Sequence, residues 1–138
     1  AMKVQELMSS EVESVTPRAS LRHAAHKMRE TGFGVLPVLD DGRLLGIITD
    51  RDISCNAIAI GRDLNSTDVQ TVMTTDVATC FSDQEVDDAA RQMSELHIRR
   101  LAVVDHDNCV TGILSVDDLA RVSGELAGSV LEAATLEH

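Results

Sequence analysis

The stretch from Val4 to Ile53 recurs, with most of its apolar positions kept, between Val69 and Leu119. A chain that writes one small unit twice is narrowly constrained, because each half alone is too short to bury a satisfactory core. Val4, Met8, Val12, Leu21, Ala24, Ala25, Met28, Leu36, Val38 and Asp40 map at a constant offset of 65 onto Val69, Met73, Val77, Val86, Ala89, Ala90, Met93, Leu101, Val103 and Asp105. One residue is then gained at a turn, where Gly42 faces Asp107-Asn108. Beyond it Gly46-Ile47-Ile48-Thr49 falls on Gly112-Ile113-Leu114-Ser115 at offset 66. A slip of one residue is what a hairpin loop tolerates.

Composition narrows the function. The 138 residues are 43% hydrophobic and 25% charged, which suits a packed globular chain and argues against disorder. No apolar run approaches the roughly 20 residues of a membrane span, and no leader pattern of basic then apolar residues opens the chain. The expectation is a soluble cytoplasmic protein without a membrane partner. Ala1 and residues 136–138 read as cloning and tag remnants. Cys55, Cys80 and Cys109 are odd in number and lie among apolar neighbours, so buried reduced thiols are expected rather than a disulfide or a metal cluster.

The net charge of −11 is uneven: residues 69–138 hold four basic side chains against thirteen acidic ones. Such a surface repels nucleic acid, and Phe33 and Phe81, the only aromatics, offer no stacking platform for bases. A small anionic ligand stays compatible where arginines concentrate.

Along the chain, Val12, Ser14 and Thr16 alternate as a short strand closed by Pro17. Leu21, Ala24, Ala25 and Met28 then share a helical face. In the second copy, Ser82 and Glu85 have the spacing of a capping box. Gly32 and Gly34 end the first helix, and Val35 to Leu39 is a buried strand. Asp40-Asp41-Gly42 is a hairpin turn, with Leu44 to Thr49 returning. A helix from Asp50 carries Ile53, Ala57 and Ile58 toward a stop at Gly61. Each repeat thus reads strand, helix, strand, strand, helix: repeat one over 3–61, a polar linker over 62–68, repeat two over 69–123. A terminal helix over 124–135, with Leu126, Val130, Leu131 and Ala134 apolar, packs on the body or on a second subunit.

The phrases Leu36-Pro37-Val38-Leu39-Asp40 and Gly46-Ile47-Ile48-Thr49-Asp50-Arg51-Asp52-Ile53 recur as Arg99-Arg100-Leu101-Ala102-Val103-Val104-Asp105 and Gly112-Ile113-Leu114-Ser115-Val116-Asp117-Asp118-Leu119. Together they resemble the CBS domain, named after cystathionine β-synthase, present as a tandem pair of the small stand-alone bacterial type. The resemblance implies an α+β fold of two βαββα repeats about a pseudo-two-fold axis, usually dimerising. It also implies an adenine nucleotide or adenosyl compound (AMP, ATP, S-adenosylmethionine or NAD(H)) in clefts between the repeats. Such modules regulate an unidentified protein target, need no obligatory cofactor and are not enzymes.

The candidate site residues divide between the copies. Thr49-x-x-Asp52 and Ser115-x-x-Asp118 place a hydroxyl at a strand end and a carboxylate in the next helical turn, which serves a helix cap. By resemblance the same aspartates accept ribose hydroxyls, and a combined role is the expectation. Adenine would lie near Thr16, Val35 and Leu36, or near Cys80, Phe81 and Leu101. Arg99 and Arg100 stand together in the acidic half. On a strand one would pair with an acid and the other reach the cleft, where a guanidinium fork suits phosphate. Gly34 and Val35 replace them in the first copy, with Arg51 as a substitute cation, so two unequal clefts are expected. His23 and His26 form a helical pair without a third ligand at matching spacing, so no metal is expected. Neither a nucleophile motif nor a Gly-rich phosphate loop occurs. The alternative is a structural interaction protein whose hydroxyl–aspartate pairs are only caps and whose clefts are vestigial.

Overall fold

A computed structural model describes residues 2–136, with side chains described as far as Ala134; Ala1, Glu137 and His138, read above as remnants, lie outside it. Leu136, the other residue of that reading, is the last of a helix. The described residues form two compact units: Glu13–Val77, and 2–12 together with 78–136. These units do not coincide with the sequence repeats. The segment that opens each repeat packs with the body of the other copy.

In the Glu13–Val77 unit, α2 (Leu21–Thr31) is followed by the antiparallel pair β1 (Val35–Asp40) and β2 (Arg43–Thr49), then α3 (Asp50–Asn56) and the single turn α4 (Val69–Val72). Leu21, Ala24 and Met28 of α2 meet Leu36, Val38, Ile48, Ile53, Val69 and Val72 in its core. In the other unit, α1 (Val4–Leu7) joins β3 (Thr79–Phe81), α5 (Val86–Leu96), β4 (Arg100–Val104), β5 (Val110–Ser115), α6 (Val116–Ala120) and α7 (Gly124–Leu136). Val4, Leu7, Val86, Met93, Leu101, Leu114, Leu119 and Val130 fill that core. The turns α1 and α4 were not anticipated, and they seal the cores.

The hairpins fold as read. Asp41 and Gly42 both take positive φ, 52° and 81°, the pairing a two-residue hairpin turn demands. The longer second loop instead places Asn108 at φ 63°. Gly46 and Gly112 are glycines because neighbouring chain comes too close. An added Cβ would stand 2.4 Å from the Thr74 carbonyl oxygen in one case and 2.6 Å from that of Ser9 in the other. Those carbonyls belong to bridges pairing Ile47 with Thr74 and Ile113 with Ser9.

Four local expectations are corrected. The leading strand of the first copy shrinks to one bridge, Val15 with Val38, whereas its counterpart β3 pairs in parallel with β4 over three residues. The chain's two prolines cause this. Pro17 stands where Ser82 donates its N–H to the Val104 carbonyl, and Pro37 lacks an N–H two residues before Leu39, whose amide donates to Val15. Both rungs flanking Val15 are thereby lost. In each copy the next helix reaches over to hold the strand, Lys27 Nζ donating to the Ser14 carbonyl at 2.5 Å and Gln92 Nε2 to that of Thr79 at 2.7 Å.

Second, Ser82 and Glu85 form no capping box. Glu85 is itself the N-cap of α5, and its carboxylate accepts from Lys3 Nζ at 2.9 Å. Ser20, at the equivalent position, does cap α2 through the His23 amide. Third, α3 ends before Gly61, at Ala57. A 3₁₀ turn over Ile58–Ile60 runs on to Gly61 and leaves Ile58 exposed. Fourth, in α7, which packs on α5 and α6, Ala127 is buried and Leu131 is exposed.

Candidate functional site

Both hydroxyl–aspartate pairs are formed, at the corners where β2 enters α3 and β5 enters α6. The Asp52 amide donates to Thr49 Oγ1 at 3.0 Å while Asp52 Oδ2 accepts from the Thr49 amide at 3.0 Å. In the second copy the distances are 3.2 Å and 2.9 Å for Ser115 and Asp118. Each bond satisfies an amide the helix start leaves open. Among the described residues these two aspartates are the buried charged ones, 8% and 9% exposed.

Burial demands further partners, and the two copies supply different ones. Thr74 Oγ1 donates to both oxygens of Asp52 at 3.2 Å. Arg121 Nη2 donates to Asp118 Oδ1 at 2.6 Å and to the Leu7 carbonyl at 3.1 Å. Sequence reasoning missed Thr74 and Arg121. The available signal was disagreement between the copies, since Arg121 falls on Cys55 at offset 66.

The residues beside these corners come from the start of the hairpin. Val35 pairs with Thr49 and Arg100 with Ser115, while the Asp50 amide donates to the Gly34 carbonyl and the Val116 amide to that of Arg99, both at 2.9 Å. The copies exchange their chemistry here. The first sets Gly34 against Asp50, so closely that a Cβ on Gly34 would lie 2.9 Å from Asp50 Oδ2. The second sets Arg99 against Val116. One corner therefore carries a carboxylate where the other carries a guanidinium.

Arg99 precedes β4, so the alternation expected of two strand neighbours does not apply, and both arginines are exposed. Among the described residues the guanidinium groups of Arg99 and of the exposed Arg51 make no hydrogen bond or ion pair.

Other expected site residues lie elsewhere. Leu36 and Leu101 are 0% and 1% exposed, with their side chains in the two cores. Thr16 follows Val15, the partner of Val38, and Cys80 and Phe81 pair with Val103 and Val104. All three therefore sit toward the far end of the hairpin, roughly 10–13 Å along a strand from the corners. Cys80 is a core side chain whose thiol is pushed up to about 11 by burial; of the three thiols expected to be buried it alone is, since Cys109 is half-buried and Cys55, near the end of α3, is exposed. Phe81 stacks on His106, centroids 4.4 Å apart, and His106 Nε2 lies 3.0 Å from Asp83 Oδ2. No group of three metal-ligating side chains assembles among the described residues.

Hydrogen bonding to Asp83, then its charge and those of Asp105 and Asp107, raises the His106 pKa above its ordinary 6.5. The Asp83 pKa is lowered from 3.8, chiefly by the same hydrogen bond. The imidazolium contribution is full below 6.5 and fades as pH rises through the raised value. The carboxylate contribution is full above 3.8 and fades as pH falls through the lowered one. The pair is thus complete between those two ordinary values. An NMR titration of the His106 ring is expected to give a pKa above 6.5 that returns toward 6.5 in Asp83→Asn; an unshifted ring contradicts the pairing.

The CBS domain family matches residues 4–55 and 68–125. The chain belongs to that family, as a tandem pair. Its relatives include the CBS domain-containing protein YhcV of Bacillus subtilis, 38% identical over 130 residues that cover 93% of this chain and 91% of the relative. Among solved structures it is similar to the CBS domain protein TA0289 of Thermoplasma acidophilum, of unknown function, with TM-score 0.78 and 28% identity over 97% of this chain and 76% of that one. It is also similar to the CBS domain pair of protein MJ0100 in complex with 5′-methylthioadenosine and S-adenosylmethionine. There the TM-score is 0.72 and the identity 31%, over 90% of this chain and 97% of the other.

Proposed function

We propose that this chain is a ligand-sensing regulatory module that binds an adenosyl compound at its strand–helix corners and does not turn it over. The observation that carries this reading is the pair of buried aspartates, each at the same corner of its unit and each beside exposed, hydrogen-bond-capable groups. The adenosyl compounds held by the MJ0100 pair support the ligand class. A carboxylate has about four acceptor positions, so Asp118 can serve its cap, Arg121 and a ribose hydroxyl together. With Arg99 and Arg100 adjacent, the Ser115–Asp118 corner favours a phosphate-bearing ligand. The Thr49–Asp52 corner, with Asp50 beside it, favours one without. The module acts by biasing the state that binds more tightly, in a cytoplasmic homodimer that answers to a protein target.

Calorimetric titration with AMP, ATP, S-adenosylmethionine and NADH tests this. Saturable binding of at least one ligand is expected, with nucleotide affinity falling roughly tenfold or more in Arg99→Ser/Arg100→Ser, as the loss of charge-assisted bonds implies. No saturable heat with any of the four sinks the proposal.

A further inference from the structure

A cleft of about 460 Å³ opens within the Glu13–Val77 unit, lined by Thr16, Pro17, Arg18, Asp40, Leu45 and Gln70. It lies at the turn end of the hairpin, since Asp40 is the last residue of β1 and Thr16 follows the partner of Val38. The Thr49–Asp52 corner is at the other end. Its polar groups are uncommitted: among the described residues the side chains of Thr16, Arg18, Asp40 and Gln70 make no hydrogen bond or ion pair. Opposite charges thus line one concavity without meeting.

The second copy shows what the same place does when filled. Phe81, Asp83 and Asp105 stand where the first copy has Thr16, Arg18 and Asp40. There the chain supplies its own occupant, the His106 ring, which lies on Phe81 and bonds to Asp83. The first copy has a shorter turn, Asp41-Gly42, that carries no ring to this place. It also replaces the carboxylate that holds the imidazole by a guanidinium, while keeping the acid at Asp40. An occupant that engages both charges of the open cleft presents an anion to Arg18 and a cation to Asp40.

We propose that this cleft binds a small zwitterion, a free α-amino acid with an apolar side chain. Its carboxylate meets the Arg18 fork, its ammonium meets Asp40, and its side chain lies on Pro17 and on Leu45, which is 39% exposed. The volume is in the range of small-molecule sites, ~300–1,000 Å³. This site is independent of the adenosyl reading, because it shares neither aspartate of the corners.

The test is a two-dimensional NMR titration of the intact chain with leucine and with methionine. The expected result is saturable shifts confined to amides around Thr16, Arg18, Asp40 and Leu45. Leucinamide lacks the carboxylate and N-acetyl-leucine lacks the ammonium, so each is expected to bind about tenfold more weakly or worse, as the loss of one charged partner implies. Arg18→Gln and Asp40→Asn replace exposed side chains and are expected to fold and to weaken leucine to the same degree. Absence of saturation with both amino acids overturns the proposal. So do shifts centred elsewhere, derivatives that bind as well as leucine, or an Arg18→Gln variant that titrates like the parent.

Discussion

Leu101→Ala is expected to cost about 2–5 kcal/mol of folding stability, and Leu36→Ala a similar amount in the other unit, the range for truncating a fully buried leucine. Leu101 lies in β4, the central strand of its three-stranded sheet, and packs with Cys80, Met93, Leu114 and Leu119. Leu36 lies in β1 with Leu21, Ala24 and Ile48 around it. The cost has two parts, lost transfer free energy and a cavity that flanking strands, pinned by their ladders, close only partly. Urea unfolding followed by far-ultraviolet circular dichroism measures it. Family resemblance set both leucines against an adenine ring. A ligand contact would lower affinity with little change in stability, so a loss under about 1 kcal/mol would return these residues to the ligand.

The elements that were legible were those whose evidence is local. The stripe of Leu21, Ala24 and Met28 and the turn at Asp41-Gly42 each state their structure within a few residues, and the second copy repeats the stripe as Val86, Ala89 and Met93. The hydroxyl–aspartate pairs are legible for the same reason, a cap being a matter of three residues. Position relative to distant chain was not legible. Val4 and Leu7 recur as Val69 and Val72, which says that they are buried but not that each pair is buried against the body of the other copy. Ser82 has the right spacing from Glu85, yet its amide goes to the Val104 carbonyl and Glu85 turns to Lys3. The lost rungs at Val15 follow from Pro17 and Pro37 only once the pairing register is known. At the site, Thr74 was not legible because its acceptor Asp52 lies 22 residues away, whereas Arg121 stands three residues after Asp118, a spacing that the sequence does display. Thr16, Cys80 and Phe81 were grouped with the corners although the strands carry them toward the opposite end.

Asp118→Ala is expected to cost about 1–3 kcal/mol, because it leaves the Ser115 amide without its acceptor and the Arg121 guanidinium without its charge partner. Asp118→Asn separates the two roles more cleanly. Its amide oxygen can still accept from the Ser115 amide, so the cap survives, while the negative charge that holds Arg121 and strengthens any bond from a ribose hydroxyl is gone. Arg121 is itself largely exposed, 63% at the side chain, so water replaces much of what that pair contributes. Asp118→Asn is therefore expected to lose no more than about 1 kcal/mol of stability. If the carboxylate also receives the sugar, the same variant loses about tenfold or more in affinity for whichever adenosyl compound titrates. Unfolding and calorimetry on one preparation measure both. An Asn variant that keeps its stability and binds unchanged would make Asp118 a cap and nothing more. The Thr74-tied carboxylate of Asp52 would then be the remaining candidate for a ribose acceptor.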